Sequence, residues 1–131
     1  MKNIIIAICA TFLIVSVISC NKTDVETKPL VGKWNVINDS TYVPVATIGG
    51  SNYIGTSNDY YNFTANGTVY IHINALLDTA TYSMIDSDQI DIVYSTGSYD
   101  PYYITNFTAH TATLTLSTSS LGPKQIINFK K

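Results

Sequence analysis

From Leu30 onward the apolar residues recur at every second position, and that period decides what this chain can become. Val69, Ile71 and Ile73 alternate with Tyr70, His72 and Asn74. Ile90, Ile92 and Tyr94 alternate with Gln89, Asp91 and Ser95, Leu114 and Leu116 with Thr113, Thr115 and Ser117, and Ile127 and Phe129 with Asn128 and Lys130. Successive side chains of a strand point to opposite faces, so each run buries one face and wets the other. That is the pattern of antiparallel sheet. No segment carries the three-and-four apolar spacing of an amphipathic helix over a dozen residues.

Turn residues separate the runs. Asn66-Gly67, set between Phe63 and Val69, is the strongest hairpin signal and calls for positive φ at the turn. Asp86-Ser87-Asp88, Thr96-Gly97-Ser98, Thr108 to Thr111 and Leu121-Gly122-Pro123 supply further breaks. The spacing predicts strands near 31–38, 42–47, 58–64, 68–74, 79–85, 89–95, 102–107 and 112–118, with a closing strand near 125–130. Pro44, Gly49, Gly50 and Gly55 interrupt the pattern between 42 and 57. A meander of this size avoids exposed edges best by closing on itself. The expected fold is therefore all-β, an antiparallel up-and-down β-barrel of about eight strands.

Composition narrows the function. The chain has 131 residues, room for one domain, and its seven Lys+Arg are all Lys. With a formal charge of −2 and no Arg it lacks the basic face of a nucleic-acid binder and any bidentate guanidinium clamp. A charged fraction of 12% is too low for a solvated coil.

The first residues read as an address. Met1-Lys2-Asn3 precedes an apolar run from Ile4 to Ile18, shorter than the roughly 20 residues that span a bilayer and suited to a signal-peptide core. Val17-Ile18-Ser19-Cys20 resembles the bacterial lipobox. That resemblance implies cleavage before Cys20, a diacylglyceryl group on its thiol and an acyl chain such as palmitate on its new amine. Asn21, in place of an Asp, implies sorting to the outer membrane of a Gram-negative cell envelope. The expected organisation is a lipoprotein signal peptide over 1–19, a flexible tether over 20–29 and a barrel domain over 30–131. Cys9 departs with the signal peptide, and Cys20 is consumed by lipid, so no disulfide is expected.

Gly32-Lys33-Trp34 at the first strand resembles the signature of the lipocalin superfamily. Tyr61-Asn62-Phe63-Thr64-Ala65-Asn66-Gly67-Thr68-Val69 is similar to a hairpin of small bacterial lipocalin-like lipoproteins. Thr81 to Ile85, Ile90 to Ile92, Ile104 to Thr108 and Leu114 to Leu116 follow in the same order. The resemblance implies a barrel with Trp34 plugging one end, and an interior that takes a small hydrophobic or amphipathic ligand. Trp34, Tyr61, Phe63, Ile71, Met84, Ile92 and Tyr94 are its expected contacts. Many lipocalins lay an Arg over this Trp; here Lys130 or Lys124 is the available substitute.

A second reading comes from ten Tyr. Tyr99, Tyr102 and Tyr103, around Asp100-Pro101, are expected at a loop, where rigid aromatic faces suit a glycan or a protein partner. The β-propensity of Tyr also accounts for the enrichment. Asp86, Asp88 and Asp91 read as an acidic turn, since an EF-hand loop would need a central Gly and a closing Glu. His72 and His110 stand on separate elements without a third ligand spaced beside them. No nucleophile elbow, catalytic ordering or phosphate loop is present, so catalytic residues, a metal site and a cofactor are not expected. Asp39-Ser40-Thr41 and Asp78-Thr79-Ala80 match a short pattern that some bacteria O-glycosylate. The expected function is that of a lipid-anchored binding module. Its alternative is a non-enzymatic accessory protein with a packed interior and a Tyr-rich partner surface.

Overall fold

The computed structural model describes residues 30–42, 50–117 and 124–131. The signal peptide, Cys20, the tether, most of the strand expected over 42–47 and the Leu121-Gly122-Pro123 turn lie outside them. The described residues form an all-β protein without helix. Its strands are β1 (Gly32–Tyr42), β2 (Ser51–Ile54), β3 (Tyr60–Phe63), β4 (Thr68–Ile73) and β5 (Leu76–Met84). β6 (Gln89–Tyr94), β7 (Tyr99–Thr105), β8 (Thr111–Ser117) and β9 (Lys124–Lys130) follow. Neighbours pair antiparallel in the order β3-β4-β5-β6-β7-β8-β9, and β1 joins β9 to β3, closing an eight-stranded barrel. β2 lengthens the wall: it pairs with Asn38 to Thr41 of β1, on the edge that β3 occupies lower down.

Alternation carries the apolar set inward. Trp34, Val36, Phe63, Val69, Ile71, Ala80, Ile90, Ile92, Ile104, Ala112, Leu114, Ile127 and Phe129 are each at most 7% exposed and form one core with Leu30, Tyr61 and Tyr102. Such burial contributes about 25 cal/mol per Å² of apolar surface, and among the described residues this one core supplies it. Rings interlock across strands: Tyr61 meets Phe129 edge-on at 5.1 Å between centroids, and Phe63 meets Tyr82 likewise.

The two ends differ. At the end where the chain enters, Trp34 packs on Phe107 at 5.9 Å and its indole N–H donates to the Leu30 carbonyl at 2.6 Å. The Lys131 ammonium lies 4.4 Å from the Trp34 ring centroid, so the cation over the indole is neither Lys130 nor Lys124 but the last residue. Gly32 turns the chain into this corner at φ 121°, a conformation an L side chain rarely adopts. This end is a closed floor.

The turns depart from expectation in two places. Gly67 takes φ 83° in the Asn66-Gly67 hairpin, as the sequence predicts. The β4–β5 hairpin, however, turns on Asn74-Ala75 at φ 51° and 64°, so β5 begins at Leu76 rather than near 79. Tyr99-Asp100-Pro101 opens β7 instead of forming a loop. Pro101 opposes Asp91 of β6 and lies ahead of the stretch of β7 that pairs with β8, which begins at Tyr102.

β1 also breaks the simple period. Val36 opposes Phe129 and Asn38 opposes Asn128, leaving Ile37 as an extra residue, a β-bulge. On the other edge of β1, Gly55 N–H donates to the Ile37 carbonyl at 2.9 Å. A Cβ on Gly55 would lie 2.1 Å from the Val36 carbonyl oxygen, a distance that forces β2 away from β1. Gly55→Ala is therefore expected to destabilise the fold by about 2 kcal/mol or more, read as a lowered denaturation midpoint, while Gly97→Ala, where the added methyl has open space, costs only its backbone strain.

Candidate functional site

The bulge has a chemical consequence. Below Ile37 the even residues Trp34 and Val36 face the axis; above it Asp39 takes the inward place, opposite Ile127. A one-residue shift exchanges faces, so an acid enters the barrel on the strand that elsewhere supplies the core. The Gln125 amide donates to both Asp39 carboxylate oxygens at 2.9 Å. Its carbonyl oxygen in turn accepts the Tyr102 hydroxyl at 2.9 Å. Burial pushes the Asp39 carboxyl up from its ordinary value, and the Gln125 hydrogen bond pulls it partly back.

Other polar side chains converge on this end. Tyr61, Tyr94, Asp39, Asp78 and Asp100 are electrostatic neighbours inside the mouth, contributed by β3, β6, β1, β5 and β7. Burial first, and then the nearby phenols and acids, hold the hydroxyls of Tyr61 and Tyr102 far above the ordinary phenol range and push Tyr94 up to about 12. All three phenols therefore keep their protons and are available as hydrogen-bond donors, a role Tyr102 fills towards Gln125. The described lysines lie elsewhere: Lys33 stands over Tyr60 on the outer wall and Lys130 lines an outer groove. Lys131 covers Trp34 at the floor, and Lys124 lies on the strand face opposite Gln125.

All seven residues expected to contact a ligand face the interior. Trp34, Tyr61, Phe63, Ile71 and Ile92 are buried in the core, and Met84 and Tyr94 are partly buried against it. Trp34, Phe63 and Ile92 are 0–1% exposed and fill the floor and middle, so the accessible part is the upper rim. The three Tyr expected as a partner surface separate. Tyr99 and Tyr103 stand half-exposed on the outer face of β7, whereas Tyr102 is 1% exposed, its ring in the core. The expected acidic turn is built as such: the Asp86 carboxylate accepts the amides of Asp88 and Gln89 at 3.0 and 2.8 Å. Grooves of about 420 and 340 Å³ lie on the outer wall, beside Ile37 and Gly55 and along Thr79, Thr81 and Val93.

Asp59 was not signalled by any motif, yet it pins the rim. It is 1% exposed, and one carboxylate oxygen accepts the Thr56 amide, the Thr56 hydroxyl and the Tyr53 hydroxyl at 2.7–2.8 Å. The other accepts the Asn74 amide at 2.8 Å, tying the strained Asn74-Ala75 turn to β2 and β3. Those hydrogen bonds, led by the Thr56 hydroxyl and amide, hold its carboxyl far below the usual range. The only sequence cue was Thr56-Ser57-Asn58-Asp59, a run of turn formers ahead of a strand.

No family model matches the chain, and none of the curated proteins compared with it matches either. An antiparallel eight-stranded barrel is compatible with a lipocalin-like domain, and an interior of this diameter suits a binding domain.

Asp59→Ala leaves two backbone amides and two hydroxyls unmatched and is expected to lower stability by roughly 2–4 kcal/mol. Because the folded carboxyl sits below its unfolded value, its contribution is complete above about pH 4 and disappears as pH falls further. Wild-type stability should decline over that interval, and the decline should be smaller in Asp59→Ala, as measured by chemical denaturation at stepped pH.

Proposed function

We propose that this protein is a lipid-anchored binding module of the bacterial cell envelope, whose barrel mouth takes a small hydrophobic or amphipathic ligand. One observation carries the reading: a barrel with an apolar core, closed at one end by Trp34 and Phe107, presents Tyr61, Tyr94, Tyr102, Asp39 and Gln125 at the other. Binding sites of small ligands have this character, mostly apolar with a few converging polar groups. Partly buried Ile73 and exposed Leu76, 73% accessible, lie on the inward faces of β4 and β5 and give the rim apolar surface.

The anchor reading rests on Val17-Ile18-Ser19-Cys20 behind a signal-like run. Two or three acyl chains, at about 0.8 kcal/mol per buried CH₂, would hold the chain on a membrane essentially permanently. Leu30 and Lys131 both lie at the floor, so a tether from Cys20 joins the closed end. A tether of that length leaves the mouth free to turn towards diffusing ligand.

A second reading follows from the outer wall. Tyr99 and Tyr103 are 52% and 51% exposed on one face of β7, with Val93 opposite Tyr99 on β6. That strip suits stacking on a glycan or a protein partner. The two readings separate in one titration. Six-carbon amphiphiles with neutral, cationic and anionic heads are added to the full chain in phosphatidylcholine nanodiscs, with ¹³C-labelled Tyr rings observed by NMR. The mouth reading expects at least one to shift Tyr61 and Tyr94 at concentrations that leave Tyr99 and Tyr103 unmoved. Shifts confined to the outer pair, or none at all, refute it. For the anchor, labelled palmitate is expected in the wild-type chain and absent from Cys20→Ser; equal labelling of both would remove Cys20 as the site.

A further inference from the structure

Given that reading of the mouth, its chemistry discriminates among ligands. Asp39, Asp78 and Asp100 come from β1, β5 and β7, strands that are not neighbours in the barrel, so the three acids face one another around the axis rather than lining one wall. Asp39 and Asp100 are half-buried and Asp78 is exposed. None of the described lysines shares their face, as set out above, so the negative field is not neutralised from within the wall. Carboxylates focused in a low-dielectric mouth raise the local concentration of cations and repel anions.

A second observation, independent of charge, marks a place for a guest. Tyr61 is 5% exposed, with its ring held in the core by Phe63 and Phe129. Its hydroxyl has no hydrogen-bond partner among the described residues, although the acids and Tyr94 surround it. Every fully enclosed polar side-chain atom among those residues does have a partner. Among the described residues, then, the Tyr61 hydroxyl is left able to meet a further group beside the acids and Tyr94. A polar group of a guest at the mouth can complete its hydrogen bonding. Tyr94, between Asp100 and Tyr102, adds an aromatic wall beside it.

We propose that the mouth selects organic cations: amphipathic ammonium compounds whose charged head sits among Asp39, Asp78 and Asp100. Their head is flanked by the rings of Tyr61 and Tyr94, and their apolar part covers Ile73 and Leu76 at the rim. Carboxylate partners and π-faces are what an alkylammonium head requires once it leaves water. A metal ion does not answer the same description. Among the described residues no set of three His, Cys, Asp or Glu is grouped to hold one metal ion, whereas a monovalent organic cation needs direct contact with only one carboxylate and is drawn in by the field of the others. A fatty acid or acidic glycan would bring its charge against three acids.

The experiment compares hexylammonium, hexanol and hexanoate, equal in chain and different in head, on the full chain in phosphatidylcholine nanodiscs with empty nanodiscs as the blank. The ring signals of Tyr61 and Tyr94 report binding. Hexylammonium is expected to bind about tenfold more tightly than hexanol, and hexanoate more weakly than either. Asp78→Asn, an exposed change that leaves the core intact, should lower hexylammonium affinity about threefold or more and leave hexanol unchanged, and Asp39→Asn should lower hexylammonium affinity by more than it lowers that of hexanol. Hexanol or hexanoate binding as tightly as hexylammonium would overturn the cation selectivity while leaving the mouth as a binding site. No shift with any of the three would overturn the binding reading beneath it as well.

Discussion

β1 is the strand on which the rest of the molecule depends. It pairs with β9 along one edge and with both β3 and β2 along the other, and it is the strand whose pairing closes the sheet. Closure leaves the eight barrel strands paired on both sides, with β2 alone among the described strands paired on one, and it allows a chain this short to bury a single continuous core. The bulge at Ile37 is the constraint within that constraint. It lets one strand supply Trp34 and Val36 to the floor and Asp39 to the mouth, which strict alternation forbids. On the opposite edge the same point is met by Gly55, whose missing side chain admits the Val36 carbonyl.

The consequence is a barrel of two chemistries. Below the bulge the interior is dispersion and hydrophobic burial, sealed by an indole that spends its N–H on Leu30 and its ring face on Lys131. Above it, a buried acid is held by an amide that is itself held by a phenol. Such a chain survives burial because the inner groups are matched: Asp39 by Gln125, Gln125 by Tyr102. Asp59 plays the opposite electrostatic part outside the axis. Its charge is stabilised by donors, whereas that of Asp39 is opposed by burial. One acid fixes the rim; the other gives the mouth its character.

Much of the fold is legible in the sequence because period two is a global signal. Clean alternation places β4, β6, β8 and β9 within a residue or two and predicts the inward set around Ile90, Ile92, Leu114 and Ile127. What escapes notice is local or long-range. The bulge falls where Ile37-Asn38-Asp39-Ser40 has no apolar rhythm to be interrupted, so Asp39 reads as surface. Asn74-Ala75 has no glycine to announce its positive φ, and its strain is borne through Asp59, fifteen residues earlier. Tyr102 shares its local context with Tyr99 and Tyr103, and only strand parity separates a core ring from two exposed ones. Lys131 reaches Trp34 because both chain ends meet at the floor, which is a fact of topology rather than of composition.

The inward turn of Asp39 underlies the mouth, its network and the selectivity proposed for it. Carbon-detected NMR titration of the Asp39 carboxyl group tests it most directly. A carboxyl group turned into the barrel, desolvated and held only by a neutral amide, titrates above the 3.8 of a free aspartate. A midpoint at or below that value would put the Asp39 carboxyl in water and contradict its inward, desolvated place at the mouth.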